Sequence, residues 1–237
     1  MRPDTALEAR SDPFDMPFVI ECAPPILTAR FAAPQRTLGW SLLHPGFAVV
    51  TDVVWVEVRN SDLGLSIDPR AFLKARLADS GLPHALAFMT SRDIRQHHVC
   101  ERRVDAIAAT CLTTVGLSNG ERVGSRKASA RPHVGTINTL LHVSEPLTDG
   151  AMIEALSIVA QARTAAIVDS WRAERGTAVT GTGTDCIVVA SPCRGEPLAF
   201  AGLHTAVGEA IGGAVYDATR SGAEQWDRDF PHAAPGD

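Results

Sequence analysis

The chain lacks the excess positive charge that a nucleic-acid partner demands. Lys and Arg number 22 against 27 Asp and Glu, a formal charge of −5. No basic surplus exists to neutralise a phosphate backbone, so no nucleic-acid partner is expected. No uninterrupted apolar run approaches the roughly 18–20 residues of a membrane span. The stretch from Met1 to Asp15 is polar and carries no apolar core of a secretory signal, so no membrane partner is expected. Cysteine is sparse: Cys22, Cys100, Cys111, Cys186 and Cys193 are odd in number and scattered. They read as free thiols in a reducing compartment, which makes the cytoplasm the expected location.

Several chemical signatures are missing as well. There is no Walker lysine loop, and Gly181-Thr182-Gly183 lacks the third glycine and following helix of a dinucleotide fingerprint. No Cys-x-x-Cys pair and no His-Glu-x-x-His helix supports a zinc site. His97-His98 is an adjacent pair, a poor chelate on a helix because neighbours diverge by about 100°. The absence of Gly-x-Ser-x-Gly argues against an α/β-hydrolase.

What is present is ordinary globular composition, 45% apolar and 21% charged over 237 residues. Residues 1–16 and 223–237 are rich in Pro, Asp, Gly and Ala and read as loosely ordered tails around one domain over 17–222. The domain reads as mixed α/β, with sheets packed against helices. Short strands are expected at Phe18–Cys22, Ile26–Phe31, Thr37–Leu43 and Phe47–Val58, separated by Pro, Gly and Asp. Asp68 caps a helix that begins at Pro69 and stops at Gly81. A short strand over His84–Met89, a second helix over Ser91–Val99 and a long strand over Val104–Gly116 follow. Residues 118–134 form a long loop with Arg122, Arg126, Lys127 and Arg131. A strand over Thr136–Val143 precedes a helix capped by Thr148 or Asp149 and ending near Arg172. Its small apolar face recurs at Ala151, Ala155, Val159, Ala162 and Ala166. Cys186–Ala190 is a strand, and Thr205 caps a last helix that ends near Arg220. Gly208, Gly212 and Gly213 inside that helix cost about 1 kcal/mol each unless a close contact compensates.

Two segments stand apart from this pattern. Gly135-Thr-Ile-Asn-Thr-Leu-Leu-His-Val143 places hydroxyl and amide side chains at the start of an apolar strand. By strict alternation Thr136, Asn138, Leu140 and His142 share one face. His142 therefore either enters a site with them or is a core histidine. Thr180-Gly-Thr-Gly-Thr-Asp185 is a backbone-rich turn of the kind that presents N–H donors to an oxyanion. Each segment read alone fits a turn with local hydroxyl–backbone bonds. Together they supply convergent hydroxyls, amides and an acid, the ingredients of an acyl-transfer site.

These two blocks, with Pro146-Leu-Thr-Asp-Gly-Ala151 and Ala201-Gly-Leu-His-Thr-Ala-Val-Gly208, resemble the signature of the CbiZ family, the adenosylcobinamide amidohydrolases. Phe88-Met-Thr90 and Gly116-Leu-Ser-Asn119 match more weakly in the same order. Trp40-Ser41-Leu42-Leu43 stands where the family usually has a Ser-Ser-Ala block. The resemblance spans roughly residues 37–222. It implies hydrolysis of the amide joining aminopropanol to the corrin ring of adenosylcobinamide, in corrinoid salvage or remodelling. The substrate carries the cobalt, and neither cofactor nor enzyme metal is implied. A fainter resemblance, at Gly135-Thr136 and Pro146-Leu147, is to the DmpA-type aminopeptidases and ornithine acetyltransferases. It implies an αββα sandwich and a Thr136 nucleophile, in relatives whose chain is cut before that residue.

Taken together the resemblances nominate Thr136 as nucleophile, Asp185 as base or orienter and His204 as the alternative base. They nominate Asn138, Ser118, Asn119, Gly183 and Thr184 to hold substrate and oxyanion. Direct activation of water by Asp185 and His204 is the competing mechanism. A non-catalytic corrinoid-binding protein and a DmpA-type peptidase or acyltransferase are the competing functions. The sequence leaves open whether copies associate into a homo-oligomer.

Overall fold

The computed structural model describes residues 16–59, 62, 67–125 and 135–231. Its strands are β1 (Phe18–Ala23), β2 (Ile26–Trp40), β3 (Gly46–Glu57), β4 (Leu86–Thr90), β5 (His97–Val104), β6 (Ile107–Val115), β7 (Gly120–Glu121), β8 (Ile137–Val143), β9 (Gly181–Thr182) and β10 (Cys186–Pro192). Its α-helices are α1 (Pro69–Asp79), α2 (Asp149–Ser170) and α3 (Ala206–Asp229). The main sheet runs β4-β3-β2-β10-β8-β6-β5, with β1 beside the first part of β2. The pairs β3–β4 and β8–β10 are parallel, and β7 and β9 form a separate small ribbon.

A bend in β2 organises the layers. Its register with β3 breaks between Arg30 and Gln35, around Pro34, a residue with no N–H for a ladder. Before the break β2 pairs with β1, and after it with β10. The sheet thereby folds into two leaves. Alternation then divides the buried strand side chains chiefly among three cores, with Val115 and Ile137 in a fourth beside Trp226. Phe31, Trp55 and Phe88 of one leaf meet Leu112, Leu140 and Val188 of the other in the first core. Leu141, Val143, Ile187 and Val189 face α2 and α3 in the second. Val54 and Val56 face Leu73 and Leu77 of α1 in the third. The layers run α/β/β/α, the mixed α/β single domain anticipated above. Each fully buried Leu, Ile or Val contributes about 1.5–3 kcal/mol.

The helix starts follow their caps. The side chains of Asp68, Thr148 and Thr205 accept from the N–H groups of Arg70, Ala151 and Gly208. Helix α2 has 22 residues and is, by length and composition alone, long and apolar enough to cross a membrane. Here Ala151, Ala155, Val159 and Ala166 on one face lie buried in the domain, their small side chains allowing close approach to the sheet.

Three expectations require correction. The strands expected at 26–31 and 37–43 are one bent strand that ends at Trp40. No helix forms over 91–99; residues after Ser91 turn, and His97 and His98 lie on β5, paired along β6. Asp105, with φ of 53°, makes the tight turn between those strands. The last helix continues to Asp229, so residues 223–229, assigned to a tail, are helical with Ala223 and Trp226 buried. A buried tryptophan there adds more than chain fraying removes. Arg126, Lys127 and Arg131 of the long loop lie outside the described residues. The guanidinium of Arg122 donates to the Ala178 carbonyl at 2.8 Å.

Candidate active site

The parallel pairing of β8 and β10 creates the site. Both strands start at the same end, with Cys186 opposite Asn138. Extending that register two residues back sets Thr184 opposite Thr136. The two unusual turns of the sequence therefore meet. The Thr136 hydroxyl is nearly buried and donates to the Thr184 carbonyl at 2.8 Å. The Thr184 hydroxyl donates to the Gly135 carbonyl at 3.1 Å.

Glycine at 135 brings in a third turn. A Cβ there would lie 2.9 Å from the Ser118 backbone nitrogen and 3.1 Å from that of Asn119. Only a hydrogen side chain leaves room for that approach. Asn119 reaches the Thr184 hydroxyl with its amide at 3.5 Å, and its Oδ1 is buried with no partner among the described residues. Ser118 lies behind Gly135 and does not line the cavity.

Asp185 anchors the arrangement. Its Oδ1 accepts from the Ile137 N–H at 3.0 Å and from the Thr182 hydroxyl. Its Oδ2 accepts from the Thr182 N–H at 3.0 Å and from the guanidinium of Arg163 on α2. The carboxylate is 8% exposed and the guanidinium 13%. With these four donors engaged it does not touch the Thr136 hydroxyl. Of the two roles proposed for it, the geometry suits orientation and not proton abstraction.

A cavity of about 520 Å³ opens on Thr136, within the ordinary size of small-molecule sites. Thr136, Thr184, Asn119, Ser41, Thr90 and Ser91 supply its polar groups, and Leu42, Val58, Phe88 and Met89 its apolar wall. Among the described residues that line it, none is an acid, a base or a histidine. Cys186 also lines it, but burial, then the neighbouring Asp185, pushes its thiol up to about 11. It is therefore no thiolate nucleophile near neutrality. Trp40 stands at the cavity, 40% exposed, with its indole N–H donating to the Asp185 carbonyl at 2.6 Å.

Three further nominated residues do not line the cavity. Asn138 is fully buried, and its amide donates to the Met89 carbonyl at 2.8 Å, tying the two leaves together. Its Oδ1 accepts from the Thr136 hydroxyl at 3.5 Å, so it touches the candidate nucleophile from behind without lining the cavity. Gly183 faces a separate shallow depression with Glu121 and Arg122. His204 is exposed at the start of α3, where the nearby Ala201 N–H donates to Glu154. Glu154 and Arg163 are nine residues apart on α2, about 13 Å of helix rise. His204 thus sits toward the opposite end of the helix layer from Asp185 and cannot serve it as a base. A glycine-rich helix start looks like a site in one dimension, but parallel β8 and β10 put the reacting end at the other pole. His142 takes the core alternative: it stacks on Phe31 at 5.5 Å and shares a hydrogen bond with Gln35 at 3.3 Å.

Sequence reading passed over Arg163, Trp40 and Ser41 as site residues. A lone arginine in an alanine-rich helix face was the available signal for the first, because a buried cation demands a partner.

The family model of the adenosylcobinamide amidohydrolases, CbiZ, matches residues 15–230. A protein of Halobacterium salinarum called adenosylcobinamide amidohydrolase is 26% identical over 167 residues, covering 68% of this chain and 69% of the relative. An uncharacterized protein of Methanocaldococcus jannaschii is 30% identical over 138 residues, 49% of this chain, and the match spans about half (54%) of that relative's length. Among solved structures, the PH0078 protein of Pyrococcus horikoshii aligns with a TM-score of 0.42 and 9% identity, covering 83% of this chain and 76% of the other. With the family model matched over nearly its whole length, the chain belongs to the CbiZ family of amidohydrolases.

Proposed function

We propose that the protein hydrolyses the amide between aminopropanol and the corrin ring of adenosylcobinamide, giving adenosylcobyric acid and free aminopropanol. The observation that carries this reading is the Thr136 hydroxyl, held at 2.8 Å by the Thr184 carbonyl at the wall of a mostly apolar cavity. The cavity is too small to enclose a whole corrinoid. It takes the aminopropanol arm, while the ring stays outside against the exposed Trp40.

Thr136 Oγ attacks the amide carbonyl carbon. Its proton, which points at the Thr184 carbonyl in the resting site, passes to the departing amine nitrogen as the C–N bond breaks. Water then attacks the resulting ester, restoring the threonine hydroxyl and freeing the carboxylic acid. The N–H of Asn119, a residue of the cavity wall packed against Gly135, supports the carbonyl oxygen as it gains charge. One such donor is worth about 3 kcal/mol of barrier. Asp185 takes no proton and holds the turn. The five cysteines are free thiols, which suits a reducing cytoplasm, and the cobalt enters only as part of the substrate.

The test is product analysis by chromatography after incubation with adenosylcobinamide. Wild type and Thr136→Ser release cobyric acid, and Thr136→Ala loses at least about a hundredfold in rate. Full activity in Thr136→Ala removes the threonine nucleophile. Binding of the corrinoid without turnover in wild type removes the hydrolase reading.

A further inference from the structure

We infer that Arg163 is a positioning residue for the reaction, acting through Asp185 to set the backbone that presents Thr136. The inference rests on the amidohydrolase reading above and extends it to a residue on a different layer. Arg163 stands on α2, a helix whose buried positions are otherwise small or apolar. Taking a guanidinium out of water is costly unless a counter-charge meets it, and the carboxylate of Asp185 does so.

The glycine of the turn exists for this pair. A Cβ at Gly181 would lie 2.5 Å from Asp185 Oδ2 and 3.1 Å from Arg163 Nη1. The adjoining Thr164 hydroxyl donates to the Thr180 carbonyl at 3.2 Å. Two consecutive α2 residues thus clamp the turn, one by charge and one by a hydrogen bond. From Asp185 the path to the reacting atom is short. Its other oxygen takes the Ile137 N–H, next in chain to Thr136. The preceding residue, Thr184, holds the Thr136 hydroxyl. Arg163 itself does not line the cavity, so its loss disturbs geometry and leaves substrate contacts in place.

The experiment compares wild type, Arg163→Ala and Arg163→Lys by steady-state kinetics and by hydrogen exchange of peptides covering 135–140 and 107–115. Arg163→Ala is expected to lose kcat by about a hundredfold, the cost of an ångström-scale misplacement, with KM within about twofold. Millimolar guanidinium ion restores part of that loss in Arg163→Ala and nothing in wild type. Exchange rises in the 135–140 peptide and not in 107–115. Arg163→Lys, which keeps the charge and the fold, lies between. A folded Arg163→Ala or Arg163→Lys with wild-type kcat and unchanged exchange overturns the inference. So does a rise in KM alone, or a loss that guanidinium does not relieve. If wild type releases no cobyric acid, the functional reading falls by itself. The exchange of the 135–140 peptide then decides the positioning role alone.

Discussion

Replacing Asp185 by alanine tests the tie on which the site geometry depends. The substitution removes one carboxylate that satisfies the Ile137 N–H, the Thr182 N–H, the Thr182 hydroxyl and the Arg163 guanidinium. The pair is 8% and 13% exposed, so water does not replace the lost acceptor freely. Breaking a buried ion pair from one side costs about 3–5 kcal/mol. The hydrogen bonds are part of that figure and are not added to it. Against a total stability of roughly 5–15 kcal/mol, the loss is large. At about 2–4 °C per kcal/mol for a domain of this size, Tm falls by about 6–20 °C. The double variant Asp185→Ala/Arg163→Met removes the orphaned cation as well. It is expected to lose about 1–3 kcal/mol less than the sum of its singles. Urea unfolding followed by circular dichroism, with the m-value held constant between variants, measures all four corners of the cycle. A single variant within about 0.5 kcal/mol of wild type, or strictly additive singles, would refute the reasoning.

Two further outcomes follow from the structure. Burial lowers the His142 imidazole from its ordinary value to about 4, so the native state binds fewer protons than the unfolded chain between about pH 4 and 6.5. Stability is complete above that window and is lost as pH falls through it, by roughly 3 kcal/mol at most. His142→Leu flattens this dependence, and an unchanged slope in denaturation measured from pH 4.5 to 7 would contradict the assignment. Gly181→Ala drives a methyl into the Asp185 carboxylate, whereas the nearest atom to a methyl at Gly183 is 4.0 Å away. The first variant is expected to lose stability and activity together and the second to keep both. Matching melting curves and rates for the two would show that the turn has slack.

Much of the fold was legible because its signals are local. Asp68-Pro69, Thr148 and Thr205 each mark a helix start with a side chain that accepts from its own first turn. Gly81, where the sequence places the stop of α1, takes a φ of 72° that suits glycine. The bend of β2 was not legible, since Ala33-Pro34 reads as a turn. Only pairing with β3 on both sides of the break carries the strand through it. The polar stretch before His97 reads as helix by composition, but the neighbouring β6 supplies a ladder for the following residues. The end of α3 is decided by Trp226, buried beside Ile137 and Val179.

The candidate site divides in the same way. The presence of hydroxyls, glycines and an acid in two turns was written in the residue order, because strand starts and tight turns depend on near neighbours. That β8 and β10 lie parallel and in register, that Asn138 spends its amide on Met89, and that His204 sits at the other pole depend on long-range pairing. The sequence by itself determined which chemical groups the protein owns and where its helices begin. Only the tertiary structure decided which of those groups face one another, because strand neighbours and the partner of a buried charge come from distant parts of the chain.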